Sequence, residues 1–163
     1  MTDDRAILEA RARVLARPFA NEDRVDSAAM LDVLVIRLAS QTMMLTSAGV
    51  LGIVRGAQIS PLPRASRPVM GLAAWRGRPL TVMALDASAS TWTGEHRLVV
   101  LGDGRGALAA LLVDDVEDAI VLDRSTLTPP ERSPLARFAL GVSPDARLVL
   151  DAARILEVLN VTL

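Results

Sequence analysis

The chain has 163 residues, 51% of them hydrophobic and 23% charged, with a net charge of −1. That composition suits one domain, or two small subdomains sharing an interface; it excludes wholesale disorder and offers no bulk charge for a polyphosphate. Cysteine and tyrosine are absent and the aromatics are Phe19, Trp75, Trp92 and Phe138, which rules out disulfides and thiolate chemistry and leaves few platforms for stacking nucleic-acid bases.

Residues 2–17, TDDRAILEARARVLAR, predict a helix. Thr2 stands at the N-cap, Asp3 and Asp4 lie where the dipole favours anions, and Pro18 stops the run. Ile7, Leu8, Val14 and Leu15 form a narrow apolar stripe with Arg11 inside it, beside an arginine-rich face. Docking on the body of the protein is the plain reading of that stripe, and its acidic interruptions make membrane adhesion weak. Residues 18–30 read as an extended linker, so the domain proper spans 31–163. The acidic start is wrong for a secretory signal and no apolar stretch approaches a bilayer span, so a cytoplasmic location is expected.

From residue 31 the hydrophobic period changes to that of strands. LDVLVIRLAS and QTMMLTSA form a hairpin turning near Ser40 and Gln41. GVLGIVRGAQISPLPRA is punctuated by glycine and proline in the manner of short strands that bend. RPVMGLAAWRG and RPLTVMALD make a second hairpin turning near Arg76, Gly77 and Arg78, and residues 88–95 read as loop. A third hairpin, 96–116, turns at GDGRG, where Asp-Gly chemistry permits positive φ. EDAIVLD is a further strand, TPPERSP a rigid loop, and the chain ends with a hairpin at Ser143, Pro144 and Asp145, a strand, and a short helix from about Ala152. Nine or ten short strands without crossover helices predict an all-β sandwich or barrel pair, with a parallel α/β sheet improbable.

Catalytic patterns are missing. His96 is the only histidine, too little for an imidazole metal cluster or a His-activated serine. Asp114 and Asp115, followed by Glu117 and Asp118, read as a solvated turn; adjacent carboxylates on a strand point to opposite faces and make a poor acid–base pair. GDGRG joins strands and lacks a phosphate-loop lysine. The absence of convergent reactive groups predicts a chain that binds instead of one that reacts.

In order along the chain, residues 50–53, 61–63, 71–77, 80–85 and 111–116 resemble the landmarks of the CheW family of bacterial chemotaxis coupling proteins. Those landmarks are a V-x-E-I-like segment, a leucine-proline step, G-x-x-N-L-R-G, x-x-L-P-V-I-D-L and G-x-x-V-D-x-V, and the likeness covers about residues 32–159. It implies two intertwined five-stranded SH3-like β-barrels with a hydrophobic groove between them. It also implies a non-enzymatic adaptor, without cofactor or metal, that bridges the cytoplasmic tip of methyl-accepting chemoreceptors to the regulatory domain of a CheA-type histidine kinase and meets other CheW-like domains. Neither nucleic acid nor membrane insertion is expected. Arg76 carries over as receptor-contacting, with Trp75, Gly77, Arg78, Val113 and Asp114 as the receptor-binding set; Val50, Leu51, Gly52 and Ile53 carry over as the kinase-facing edge.

The chain departs from the family at several of these positions. Gly52 stands where Glu is favoured, Ala74 for Asn, Trp75 for Leu, and Thr81 and Ala84 for the Pro and Asp of the following strand. Glu131, Arg132 and Ser133 occupy a place where an apolar contact residue often lies. The resemblance therefore allows a divergent paralogue that binds receptors or other CheW-like domains but engages the kinase weakly or not at all, with restored Glu at 52 and Asn at 74 expected to strengthen kinase association. A small-molecule-binding β-barrel holding an apolar ligand is the reading from another class; a deep enclosed cavity would support it.

Overall fold

Strand β1 (Met30–Leu38) runs antiparallel to β2 (Gln41–Thr46) with Leu38 opposite Gln41, so the chain reverses within Ala39 and Ser40. Both turn residues have positive φ, 53° and 65°, the geometry whose twist matches a two-residue hairpin. The computed structural model describes residues 29–86 and 94–162. The expected helix at 2–17, most of the linker after it, and most of the loop expected at 88–95 lie outside the described residues.

The chain then leaves this pair for β3 (Val50–Arg55), the two-residue β4 (Ser60–Pro61), β5 (Val69–Trp75), β6 (Arg78–Met83), β7 (Arg97–Asp103) and β8 (Gly106–Val113). These make a six-stranded sheet in the order β3-β7-β8-β6-β5-β4. At Asp114 the chain crosses back: its N–H donates to Arg37 O at 2.9 Å, and β9 (Asp115–Asp123) pairs with β1. With β10 (Ala139–Val142) and β11 (Leu148–Leu150) this completes a five-stranded sheet ordered β10-β11-β2-β1-β9, and helix α1 (Ala152–Thr162) follows. The five-stranded sheet is thus drawn from both ends of the domain, and the middle of the chain forms the other sheet. The structure is mostly β, as expected, in two sheets of five and six strands. Each sheet also holds one parallel pair, β6 with β8 and β11 with β2, a feature that strand spacing did not indicate.

Packing explains the unbroken apolar runs of β7 and β8. Val99, Leu101, Leu111 and Val113 face a central core shared with Ile36, Leu45, Phe138, Leu150 and Ile155. On their other face, Leu98, Ala110 and Leu112 pack with Ile59, Ala73 and Val82 inside the curl of the six-stranded sheet. A strand covered on both faces has no polar alternation to show. A smaller cluster of Val33, Met44 and Val149 fills the other side of the five-stranded sheet. The β5–β6 hairpin turns at Arg76 and Gly77, as expected, with φ of 48° and 77°. In the β7–β8 turn, Asp103 Oδ1 accepts from Arg105 N–H at 2.7 Å and the positive φ falls on Gly106, not on the Asp-Gly pair.

Candidate functional site

Along β5, Gly71 and Ala73 point into the curled sheet, and Trp75, two residues on, shares that side. Along β3, Val54 packs into the same interior, with Gly52 on its side. The two strands are separated by three others in sheet order, yet the curl brings their ends together: a Cβ on Gly52 would stand 2.6 Å from Cη2 of Trp75. The indole closes the mouth of the sheet over a glycine. Arg76 stacks on it with the guanidinium carbon 5.0 Å from the ring centroid, a cation–π arrangement.

This hairpin tip borders an apolar concavity of about 440 Å³ lined by Leu51, Trp75, Arg76, Arg78, Pro79 and Leu80. On the other side of the hairpin a second concavity of about 470 Å³ is lined by Ser60, Leu72, Gly77, Arg78 and Pro79 among others. Two guanidinium-bearing side chains therefore border apolar surface, which suits a helix presenting carboxylates or free carbonyls. Neighbouring β3 pairs on one side only, and its outward residues Leu51 and Ile53 are 43% and 41% exposed.

The sequence-derived receptor-binding set does not come together as one patch. Trp75, Arg76, Gly77 and Arg78 sit at the hairpin tip, beside the start of β8 at Gly106 and Ala107. Val113 ends that strand seven residues later, about 23 Å along it, and at 1% exposure its side chain belongs to the core. Asp114 lies at the crossover between sheets, its Oδ1 3.7 Å from Nε2 of His96. The hairpin instead meets the kinase-facing set, because Leu51 and Gly52 lie beside Trp75. Sequence reading also missed Leu108, 47% exposed, and the α1 residues Ala153 and Leu156, which border a third groove with Leu51. The clue was available in β8, whose apolar run begins at the hairpin tip, where a sheet has no cover.

The acidic run after β8 opens strand β9 and is no turn. Asp115 lies 3.7 Å from Arg37 and 3.6 Å from Arg97, and Glu117 lies 3.5 Å from Arg37. Glu117 thus pairs within the five-stranded sheet, while Asp115 bridges Arg37 of that sheet and Arg97 of the other; among the described residues no group of side chains suited to a metal ion occurs. Asp123 at the end of β9 is held below the ordinary carboxylate range, first by the Ser125 hydroxyl at 2.7 Å and then by the Ser125 N–H at 2.8 Å.

The CheW-like domain family matches residues 32–160. The chain belongs to that family. Its structure is similar to that of the scaffolding protein TtCheW from Thermoanaerobacter tengcongensis, with a TM-score of 0.62 at 20% identity, over 74% of this chain and 87% of that one. At that identity the likeness speaks for the fold. No curated protein matches the chain. CheW-like proteins are scaffolds and adaptors of chemotaxis signalling, not enzymes. Among the described residues, no helix is long and apolar enough to cross a membrane. In this CheW-like chain the Trp75 ring takes the space that a side chain at position 52 would need.

Proposed function

We propose that this CheW-like protein is a signalling adaptor that couples chemoreceptor tips to a CheA-type histidine kinase. The observation that carries the reading is the hairpin tip, where Arg76 and Arg78 border the apolar concavity of Leu51, Trp75 and Leu80. An amphipathic receptor helix laid there would bury its apolar stripe on Leu51 and Leu80 and present acidic or carbonyl oxygens to the guanidinium forks. The exposed edge of β3, with Leu51 and Ile53, is the kinase-facing surface in this reading. Its position beside the hairpin means that both partners would meet at one end of the six-stranded sheet. The β8–β9 crossover at Asp114 would then contact a receptor only through a separate part of its surface.

One observation favours the divergent version, in which receptors or other CheW-like domains are bound and the kinase is bound weakly. Gly52 offers no side chain to a partner, and the Trp75 ring fills the space above it. The ligand-binding barrel is disfavoured, since Ile59, Ala73, Val82, Leu98, Ala110 and Leu112 fill the interior of the curl.

Pull-downs against receptor-tip fragments and the kinase regulatory domain, run separately, test the proposal. Arg76→Glu is expected to abolish receptor co-sedimentation at unchanged thermal stability. Unaltered receptor binding would remove the hairpin tip from the interface.

A further inference from the structure

The third groove, about 550 Å³, lies where α1 passes the β7–β8 hairpin. Its floor is backbone: Gly102 N–H donates to Gly49 O at 2.8 Å, and a Cβ on Gly102 would stand 2.6 Å from Leu51 Cδ1. Leu51 and Leu108 form one wall, 43% and 47% exposed, and Ala153 and Leu156 of α1 the other. Large aliphatic side chains left half in water around one depression mark an interaction surface. The charged residues lining it, Asp103 and Glu157, are both acidic. An occupant should therefore be apolar, narrow and positively charged.

The chain carries such a segment. Residues 5–17, RAILEARARVLAR, hold Arg5, Arg11, Arg13 and Arg17 against the single carboxylate Glu9. At helical spacing Ile7, Leu8, Val14 and Leu15 share a face with Arg11 in its middle. A guanidinium inside an apolar stripe is costly to dock on a purely apolar surface and favourable where a carboxylate meets it. Asp103 and Glu157 supply that carboxylate beside the leucine wall.

Placement allows the encounter. Asp32 O accepts the Ser47 N–H at 2.8 Å, and the next two residues, Ala48 and Gly49, border the groove. The described chain thus begins at Ala29, three residues before Asp32, whose partner Ser47 directly precedes the groove's edge. The eleven residues 18–28 reach up to about 36–40 Å when extended, and a helix over 5–17 is about 20 Å long. Tethering by such a linker raises the effective concentration to the millimolar range, enough to populate a weak contact.

We propose that residues 5–17 dock in cis as an amphipathic helix in the groove between α1 and the β7–β8 hairpin, with Arg11 between Asp103 and Glu157. The docking itself stands or falls in the isolated chain, independently of which partner the protein couples.

Because the chain has no cysteine, Ala10→Cys gives a unique thiol for a nitroxide label on the full-length protein, with Ala12→Cys as a second site. The expected result is selective broadening of amide signals at 48–51, 102–108 and 153–157. Ile7→Asp with Arg11→Glu in the same chain should restore those signals. Uniform broadening, or broadening centred on Trp75 or on Val121 of β9, would overturn the proposal. So would broadening that passes from labelled chains to unlabelled ones in a mixture, which would make the occupant a second copy.

Discussion

A Cβ on Gly52 would stand 2.6 Å from the Trp75 ring, whose atoms are the far end of a side chain packed under Arg76. Gly52→Glu alone is therefore expected to lower stability by about 1–3 kcal/mol, the usual cost of overfilling a packed site, measured by chemical denaturation. Adding Trp75→Leu should recover most of that loss, and in the divergent reading only this double variant should gain kinase association. The expectation that glutamate at 52 with asparagine at 74 strengthens kinase association therefore extends to position 75, whose ring takes the space at 52. Sequence reading registered both departures and missed their link, because 23 positions separate them along the chain and only the curl of the sheet joins them. Arg76 was legible as a turn residue but not its backbone: at φ 48° it holds a left-handed conformation that costs a non-glycine residue roughly 1–2 kcal/mol. As in the β1–β2 turn, that conformation is what a two-residue hairpin requires, and here it sets the guanidinium over the Trp75 indole.

At the scale of elements, α1 is fastened to the five-stranded sheet at its start by a buried hydrogen bond, Ala152 N–H donating to Thr46 Oγ1 at 3.0 Å with Thr46 only 4% exposed, and two residues on by Arg154, which donates to Ala139 O. Asp151 Oδ1 accepts the next N–H, from Ala153, at 3.0 Å. Thr46→Val keeps the shape and removes the acceptor, so it should destabilise by about 1–3 kcal/mol, while Thr46→Ser keeps the acceptor and should cost only the buried methyl, about 1 kcal/mol, both read by urea unfolding. Sequence placed the start of this helix correctly from the chain's end but could not show its anchor, 106 residues upstream. The turn after β9 is pH-sensitive in one direction. Asp123 titrates below its ordinary value of 3.8, so its contribution is fully present above that value and is lost as pH falls through the lower folded one. A carboxyl NMR titration should find a midpoint below 3.8, and Ser125→Ala should raise it, the hydroxyl being the larger cause.

For the whole molecule, the decisive feature is a core that belongs to neither sheet alone. Leu111 is fully buried among residues of β1, β2, β11 and α1 as well as its own sheet. Leu111→Ala is expected to cost about 2–5 kcal/mol. It should shift a single transition, with circular dichroism and tryptophan fluorescence coincident, since neither sheet keeps a core without the other. Two separated transitions would mean that the sheets fold independently. Sequence by itself determined the β class, the hairpins and their turns, the late helix and the family, because side-chain periodicity, turn chemistry and motif order are local or sequential properties. Only the tertiary structure decided that the hairpin tip meets the β3 edge and not Asp114, that Val113 is core, and that the acidic run is a paired strand. Each of these depends on how far the six-stranded sheet curls and where the chain crosses between sheets, and such distances arise from packing among residues remote in sequence.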